Sequence, residues 1–299
     1  MSVFSDFDWS LRGVRVRETG AEITFTRALA WDVFRGIHYI CRETLRRPAP
    51  SLPLKIAYEP RPPRPWYLLW GCLRQAGIKT TASHEAADLT IHFSDVTTVD
   101  SPAPTGKTLN GHCNDISKSR VAKVFLEVFG YDLAIDPSTA TEPFLEKGEE
   151  NGVHDAEIHD TPRAAEPGRV YQKLLDNSTA DGMVLDYRCP TVFGDIPLVF
   201  LKERPIGKRF DNLNTRVRMA EAKACFNDEE LAQIKEFCAA MDLDWGGLDI
   251  LRHAADNKIY IVDVNKTDMG PPLSLPIKDK LSAVKTLGQA LRDRLEERS

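Results

Sequence analysis

The sequence predicts a mixed α/β (α+β) fold, and three observations support this prediction. A strand, a helix and a second strand follow one another in the first third of the chain, as in a small domain with parallel strand pairing. Two strands separated by a short polar turn lie further on and carry branched and polar residues in alternation. Apolar residues at helical spacing predict three long amphipathic helices. The elements are Leu54–Tyr58, Trp66–Gln75 and Ala87–Phe93, the strands Leu248–Leu251 and Ile259–Val264, and the helices Arg27–Arg46, Asp228–Met241 and Lys278–Arg298.

Length and charge narrow the class of protein. With 299 residues the chain is long enough for about two domains. Its net charge of −5 gives no reason to expect a nucleic acid or an acidic membrane as a partner. No apolar run has the length of a membrane span, and Met1–Ser10 carries two acids where a secretory signal needs basic residues. The six cysteines are dispersed without a Cys-x-x-Cys pair, which predicts reduced thiols and a cytoplasmic protein. The sequence leaves open whether the protein forms a homodimer.

Two acids and an amide lie on the later pair of strands. Asp249 interrupts the apolar run of the first strand, and Asp263 and Asn265 follow in phase on the second. Because strand side chains repeat every second residue, Asp263 should share a face with Ile259 and Ile261. An acid on an apolar face is costly unless it is paired or binds a cation. Two carboxylates and an amide oxygen suit Mg²⁺, although an ordinary hairpin with solvated acids explains the same residues.

The whole stretch from Trp245 to Pro272 resembles the metal hairpin of ATP-grasp enzymes. This superfamily includes D-alanine–D-alanine ligase, glutathione synthetase and the ligases that add glutamate to ribosomal protein tails. The resemblance implies that Asp249, Asp263 and Asn265 hold Mg²⁺ ions that bridge the phosphates of ATP. The second acid of the family is usually Glu, so Asp263 is one methylene shorter than the family pattern.

Two lysines resemble the phosphate-binding lysines of the same superfamily. Asp115 is a natural N-cap for a helix that runs to Phe129, and Lys118 lies in its first turn, where a cation has no favourable dipole. The segment Phe144–Asp155 resembles a strand of this superfamily that ends in a lysine, here Lys147, and continues into a glycine-containing loop, here Gly148–Gly152 with two acids. The resemblance implies that both lysines contact ATP phosphates and that the loop closes over them. A surface lysine and a plain turn are the simpler interpretations.

The segment Val170–Asn177 resembles the strand and linker that hold adenine in these enzymes. The resemblance implies that backbone groups of Lys173 and Leu174 contact the base, with Gln172 beside it and Asp176 near the ribose. Family members usually carry Glu where Lys173 stands. A strand that ends in an Asp-Asn turn explains the same residues.

Basic residues follow between the adenine segment and the hairpin. Arg188, Lys202 and Arg204 match positions that converge on the reacting phosphate in the glutamate-ligase branch, and the resemblance implies catalytic roles for Arg188 and Arg204 and phosphate binding for Lys202. Arg209-Phe-Asp-Asn-Leu-Asn-Thr-Arg resembles the Phe-x-x-Asn segment of that branch. Phosphoryl transfer needs positive charge at this place, because catalysis depends on positioning and on offsetting negative charge. A solvated basic stripe is the simpler alternative.

The resemblance implies an ATP-grasp fold with a small α/β N-terminal domain, closest to the glutathione synthetase and ribosomal-protein glutamate ligase branch. Residues 1–105 would form the N-terminal domain and linker, with Asp95–Asn110 as the linker. Residues 106–180 would form the lid subdomain, and residues 181–299 would carry the metal hairpin.

The function that the resemblance implies is an ATP- and Mg²⁺-dependent carboxylate–amine or carboxylate–thiol ligase. It would act through an acyl phosphate and release ADP. Its partners would be small carboxylate and amine substrates or a peptide. One departure from the family pattern is Gly247, because several ligases carry an arginine at this position. In this chain Arg204 or Arg252 would have to take over the role of that arginine. A small-molecule kinase and a non-catalytic nucleotide sensor or assembly protein are therefore retained as alternatives.

Overall fold

The computed structural model describes residues 7–10, 13–17, 22–24, 26–100, 106–151, 155–210 and 214–298. Runs of strands are separated by helices through these residues, and the strands form one parallel and three antiparallel sheets. The prediction of a mixed α/β fold is confirmed. Part of the predicted linker, Gly152 of the loop after Lys147, and Asp211 and Asn212 of the Phe-x-x-Asn segment lie outside the described residues. Among the described helices, none combines the length and apolar character needed to cross a membrane.

A small antiparallel sheet and a long helix precede the first α/β unit. The sheet has the order β1–β2–β3, and the helix α1 follows it directly. The ranges are β1 (Phe7–Trp9), β2 (Gly13–Val16), β3 (Glu22–Thr24) and α1 (Arg27–Leu45). The predicted helix over this stretch is therefore confirmed.

The first α/β unit is a parallel four-stranded sheet of order β5–β4–β6–β7. Helix α2 connects the first two strands and ends at Gly77, whose φ of 70° favours glycine. The predicted strand, helix and strand are all present, but the segment predicted as a linker supplies the edge strand β7. The ranges are β4 (Lys55–Pro60), α2 (Leu68–Ala76), β5 (Lys79–Thr80), β6 (Leu89–Phe93) and β7 (Thr108–Leu109).

The middle of the chain forms a helix and a three-stranded antiparallel sheet of order β10–β8–β9. The predicted cap of this helix was wrong. Ser117 caps it by accepting a 3.3 Å hydrogen bond from the N–H of Arg120, whereas Asp115 accepts a hydrogen bond from the N–H of Ser117 itself. An Asp two residues before the cap stabilises the turn that leads into the helix. The ranges are α3 (Lys118–Phe129), β8 (Phe144–Gly148), β9 (Glu157–His159) and β10 (Arg169–Lys173).

The last part of the chain is built on a five-stranded antiparallel sheet of order β13–β12–β11–β14–β15. Asn227 and Glu230 form a reciprocal capping box at the start of α5. The ranges are β11 (Met183–Val192), β12 (Val199–Pro205), β13 (Arg216–Ala220), α4 (Ala222–Cys225), α5 (Asp228–Ala240), β14 (Trp245–Arg252), β15 (Ile259–Asn265) and α6 (Ile277–Glu296).

The two faces of this sheet have different partners. One face is apolar and packs on α3 and α5, with Leu248 and Phe237 fully buried between them. The other face is apolar only at one end, where Val192 and Trp245 pack with residues of α2 and α6. The remainder of that face carries charged side chains. Because the helices bury one side of the sheet, the charged residues of its other side are brought together opposite β8–β10.

A bulge in the hairpin corrects the predicted face of Asp263. The register pairs Asp249 with Asp263 but Ile250 with Ile261, so Val262 is an extra residue on β15. Ile261 therefore lies in the apolar core together with Ile250, and not on the face of Asp263 as regular alternation predicted. The bulge keeps Asp263 beside Asp249 while it leaves the isoleucines in the core.

Candidate functional site

A row of charged side chains crosses four neighbouring strands of the large sheet. The strand register places Arg188 of β11 opposite Asp249 of β14, and Asp249 opposite Asp263 of β15. Arg188 Nη1 donates a 2.8 Å hydrogen bond to Asp249 Oδ2. Nζ of Lys202, on β12, lies 3.5 Å from Asp249 Oδ1. Antiparallel pairing thus brings together four residues that are far apart in sequence.

The two acids of this row have opposite electrostatic character. Burial raises the pKa of Asp249, but Arg188 and Lys202 lower it, and the net pKa lies below its ordinary value. Burial and the neighbouring Asp249 raise the pKa of Asp263. Asp249 is therefore stabilised as a carboxylate by its basic neighbours. The positive charges near Asp263 are too few to offset the effects of burial and of Asp249 on its carboxylate.

The donor set fits a divalent cation. Oδ1 of Asp249 and Oδ1 of Asp263 are both buried and accept no hydrogen bond in the described part of the chain. Asn265 donates a 3.2 Å hydrogen bond from Nδ2 to Asp263 Oδ2, which fixes the amide next to the acid. Buried carboxylate oxygens without donors are costly unless a cation takes the place of the missing donors.

The protein contribution to such a site would be small. Within the ranges that the structure describes, no group of three or more His, Cys, Asp or Glu residues could hold a metal ion. A set of two carboxylates and one amide oxygen leaves several coordination positions for water or phosphate. This is the arrangement that Mg²⁺ adopts when it binds together with a phosphate substrate.

Two lysines from the middle of the chain face this row. Nζ of Lys147, on β8, donates a 2.9 Å hydrogen bond to Oε1 of Gln172, a residue that is 1% exposed. Burial lowers the pKa of Lys147 to about 8, and Asp263 opposes this shift. Nζ of Lys118, the first residue of α3, donates to the carbonyl oxygen of Glu150 at 2.5 Å. The charges of both lysines act on Asp263.

The loop after Lys147, here called the lid loop (residues 148–151), closes against the site. The carboxylate of Glu149 accepts hydrogen bonds from Ser119 N–H at 3.2 Å and from Ser119 Oγ at 3.0 Å, at the start of α3. Asn151 donates from Nδ2 to Asn265 Oδ1 at 3.2 Å, and its N–H donates to Thr97 Oγ1 at 2.9 Å. The lid loop therefore contacts α3, strand β15 and the segment after β6.

The segment Val170–Asn177, predicted to hold adenine, contacts the side chain of Lys147 through Gln172. The N–H of Lys173 already donates to the carbonyl oxygen of Leu133, and its ammonium lies 5.9 Å from the ring centre of Tyr260. Asp176 is exposed and accepts a hydrogen bond from the N–H of Ser178. Leu174 is half-buried between them. A base bound here would have to use the backbone of Leu174 and the side chain of Gln172.

The predicted basic cluster divides into separate pairs. Arg204 donates to Asp186, which also accepts a 2.8 Å hydrogen bond from Nδ2 of Asn177, near the adenine segment. Further along the sheet, Arg216 and Arg218 are exposed and pair with Glu203. Arg204 therefore lies with Asp186 and not beside Arg188, and only Arg188 and Lys202 contact Asp249.

Two important residues were not anticipated. Asp268, in the turn after β15, is 2% exposed and accepts two hydrogen bonds from Arg188. Asn110, at the end of the predicted linker, is 2% exposed and bonds the backbone of Asp244 and Trp245. Both lie in turns, where hydrophobic periodicity gives no signal. The glycine at position 247 was the only sequence feature that could have indicated a buried position for Asp268.

Comparison with known proteins gives only distant likeness. No family model matches the chain, and no curated protein matches its sequence. Among solved structures, the chain is similar to the ATP-grasp ligase PsnB bound to a precursor variant, Mg and ADP, at 14% sequence identity and a TM-score of 0.45. The similar region covers 64% of this chain and 63% of that protein.

Two further structures cover more of the chain. They are D-cycloserine synthetase DcsG, at 12% identity, 81% of this chain, 99% of that chain and a TM-score of 0.48, and D-alanine–D-alanine ligase from Bacillus anthracis with ATP, at 12% identity, 81% and 98% coverage and a TM-score of 0.45. Scores below 0.5 at these identities assign neither a family nor an activity to this chain.

Proposed function

We propose that the protein is an ATP-grasp enzyme that joins a carboxylate to an amine or a thiol, with ATP and Mg²⁺, through an acyl phosphate. One observation carries the proposal. Asp249 and Asp263 face each other in register, and each has a buried oxygen that accepts no hydrogen bond in the described part of the chain, although Lys202 lies 3.5 Å from that of Asp249. Basic side chains lie on both sides of this pair, Arg188 and Lys202 on the sheet and Lys147 opposite.

The order of charges suits a bound magnesium–triphosphate. Asp249, Asp263 and Asn265 would hold Mg²⁺, which when bound offsets charge on the phosphates. Lys118 and Lys147 would bind phosphate oxygens from the side of the lid, where desolvation strengthens each contact. Acids that hold a cation, with lysines around them, recognise a phosphate chain better than either group alone.

The adenosine would lie toward the segment after β10. Gln172 and the backbone of Leu174 would contact the base, with Asp176 near the ribose. In this arrangement Lys173 contributes backbone only, because its ammonium stacks over Tyr260. Arg204, paired with Asp186 beside Asn177, would fix the turn below the base, which assigns it a positioning role.

The chemical steps follow from the position of Arg188. A substrate carboxylate oxygen attacks the γ-phosphorus, the bond to ADP breaks, and an acyl phosphate forms. The amine nitrogen then attacks the acyl carbon, a proton leaves the nitrogen, and phosphate departs. Arg188 and Lys202 would stabilise the transferring group and the oxyanion of the second step, because their charge is already oriented before the reaction.

A hydroxylamine assay tests the proposal. With pools of carboxylates, Mg²⁺ and ATP, the protein should release ADP and phosphate and give a hydroxamate. Arg188→Ala should lower this rate by at least 100-fold while the dissociation constant for ATP changes by less than threefold. Arg218→Ala, an exposed arginine on the same sheet, is the control and should leave the rate unchanged. A phosphorylated product that is stable to hydroxylamine would instead indicate a kinase.

One observation favours a second function, nucleotide binding without turnover. The carboxylate of Glu149 accepts hydrogen bonds from Ser119 at the start of α3, and the Lys118 ammonium donates to the carbonyl oxygen of Glu150. A phosphate that binds here would have to displace both lid-loop groups. A nucleotide sensor could use this exchange as its signal. Tight binding of ATP with no ADP released from any carboxylate pool would support that function and exclude the ligase.

A further inference from the structure

The guanidinium of Arg188 is held by a second carboxylate, that of Asp268. Oδ1 of Asp268 accepts hydrogen bonds from Nε at 3.1 Å and from Nη2 at 2.7 Å, while Nη1 donates to Asp249. These bonds use three of the five N–H groups of the guanidinium. Both side chains are nearly inaccessible, at 11% for Arg188 and 2% for Asp268. Two carboxylates at different edges fix the plane of the guanidinium.

The backbone of Asp268 is itself fixed on the N-terminal part of the chain. Its carbonyl oxygen accepts a 2.9 Å hydrogen bond from the N–H of Leu68, the first residue of α2. The next residues continue the contact, since Met269 forms a bridge with Tyr67 and the N–H of Gly270 donates to the carbonyl oxygen of Trp66 at 3.1 Å. The direction of the Asp268 side chain is therefore set by two separate parts of the fold.

Gly247 provides the space for this ion pair. A Cβ atom at position 247 would lie 2.4 Å from Oδ2 of Asp268 and 3.1 Å from Nε of Arg188. Any other residue would push Asp268 or Arg188 out of place. The contact between Arg188 and Asp268 therefore requires both Gly247 on β14 and the acid after β15. A larger residue at position 247 would exclude this contact.

Asp249 cannot hold Arg188 alone in a loaded site. It faces Arg188, Lys202 and Asp263 at once, and a cation bound by the two acids would weaken the attraction of this carboxylate for Arg188 and would repel the guanidinium. Asp268 has no second cation within salt-bridge distance in the described part of the chain. It is the partner that Arg188 keeps.

We propose that Asp268 is a positioning residue that keeps Arg188 oriented toward the reacting groups, whether or not Asp249 binds a cation. The inference rests on the proposed function. With Asp268 in place, the N–H groups that Asp249 releases stay directed at the transferring group. Without Asp268, the guanidinium of Arg188 would move with Asp249 or away from the reacting groups. The chemical step would then slow, whereas the affinity of the lysines for nucleotide would not change.

The test combines a spectroscopic and a kinetic measurement on the full chain. Exchange of the Arg188 Nε–H proton is followed by NMR with ¹⁵N-labelled arginine, the signal being assigned by its loss in Arg188→Lys. Exchange should be slow in the wild type and at least tenfold faster in Asp268→Ala. In hydroxamate formation, kcat should fall about 100-fold with the KM for ATP within threefold, and Asp268→Glu should recover part of the loss. Glu203→Gln, a buried acid that pairs with two arginines on the same sheet, is the control and should change neither value.

A second variant covers the case in which Asp268→Ala does not fold. Gly247→Ala leaves both partners present and should give the same faster exchange and lower kcat. Unchanged Arg188 exchange in a folded variant overturns the inference, and so does faster exchange with unchanged kcat. If the wild type makes no product while its Arg188 exchange depends on Asp268, the proposed reaction fails but the hold of Asp268 on Arg188 stands.

Discussion

Lys147 and Gln172 are joined by a 2.9 Å hydrogen bond from Nζ to Oε1 between neighbouring strands, at a point where Gln172 is 1% exposed. Burial lowers the pKa of Lys147 from its ordinary 10.5 to about 8. The ammonium that would bind phosphate therefore begins to lose its proton close to neutral pH. ATP binding should be nearly constant below about pH 7.5 and should weaken about tenfold by pH 9, where most of the lysine is neutral.

Calorimetric titration of an ATP analogue with Mg²⁺ from pH 6.5 to 9.5 measures this effect. Lys147→Arg is the matched variant, because an arginine stays charged throughout this range and should give a flat profile. A wild-type affinity that is independent of pH up to 9.5 would exclude Lys147 as the phosphate contact. The same shift affects folding. The unfolded state binds more protons between pH 8 and 10.5, so this lysine makes stability rise with pH in that window.

Much of this arrangement could be predicted from sequence, because it depends on local rules. The hairpin with Asp249 and Asp263 follows from periodicity and turn residues, and so does the helix that ends at Phe129, although not its first residue. The strand that ends near Lys147 was implied only by the resemblance to ATP-grasp enzymes. The bulge at Val262 could not be predicted, since it arises from the fit of two strands and changes the face of every later residue.

The pairing of charges depends on contacts distant in sequence and was also out of reach. Arg204 and Arg188 are alike in a sequence pattern, yet one pairs with Asp186 and the other with Asp249 and Asp268. Strand register and the position of one turn decide this, and neither leaves a signal in the residues themselves. The glycine at position 247 departs from the pattern of the ligases that the sequence resembles, but only the structure shows the contact that requires a glycine there.

Asp249 and Asp263 should respond in opposite ways when each is changed to Asn. The raised pKa of Asp263 means that its charge opposes folding above that pKa and that stability is lost as pH rises through it. Asp263→Asn should therefore stabilise the metal-free protein by about 1 kcal/mol. The lowered pKa of Asp249 means that its charge favours folding above pH 3.8, and Asp249→Asn should cost about 1–2 kcal/mol.

Urea unfolding at pH 7 in the presence of a chelator measures both changes. Both variants should also lose Mg²⁺-dependent ATP binding, because each removes a carboxylate of the cation site. A stabilised Asp263→Asn protein that no longer binds Mg²⁺ with ATP would separate the site from the fold. Destabilisation by both variants to the same extent would contradict the difference in their electrostatic surroundings.

The contacts of the lid loop predict protection before any nucleotide binds. The N–H of Asn151 donates to Thr97 Oγ1, and Glu149 accepts from Ser119, so this stretch should exchange slowly in the ligand-free protein. Glu149→Ala should speed exchange at residues 149–151 by about tenfold, since it removes two hydrogen bonds to a charged group. It should also raise the association rate of ATP, because the lid loop must open for entry.

Hydrogen exchange with mass spectrometry and stopped-flow binding measure these two effects. Glu127→Ala, on the exposed side of α3, is the control and should leave both rates unchanged. Exchange of Asn151 at the rate of a free peptide in the wild type would show that the loop is open in solution. In that case the two rates would be the same in Glu149→Ala and in the wild type.

Asn110 should be one of the most sensitive positions for stability. Its Oδ1 accepts hydrogen bonds from the N–H groups of Asp244 and Trp245 at 2.9 and 3.0 Å, and its Nδ2 donates to the carbonyl oxygen of Trp245 at 2.7 Å. Its φ of 57° lies in the left-handed region, where Asn is favoured over most residues.

Asn110→Ala would leave buried backbone groups of the large sheet without partners and would strain the backbone, so it should cost about 3 kcal/mol. Asn110→Gly relieves the strain but not the lost hydrogen bonds and should cost about 1 kcal/mol less. Urea unfolding at pH 7 should therefore place the Ala variant below the Gly variant in stability, and both below the wild type. Equal stability of the Ala and Gly variants would show that the left-handed backbone contributes nothing, and a wild-type-like Ala variant would mean that these hydrogen bonds do not join the two parts of the chain.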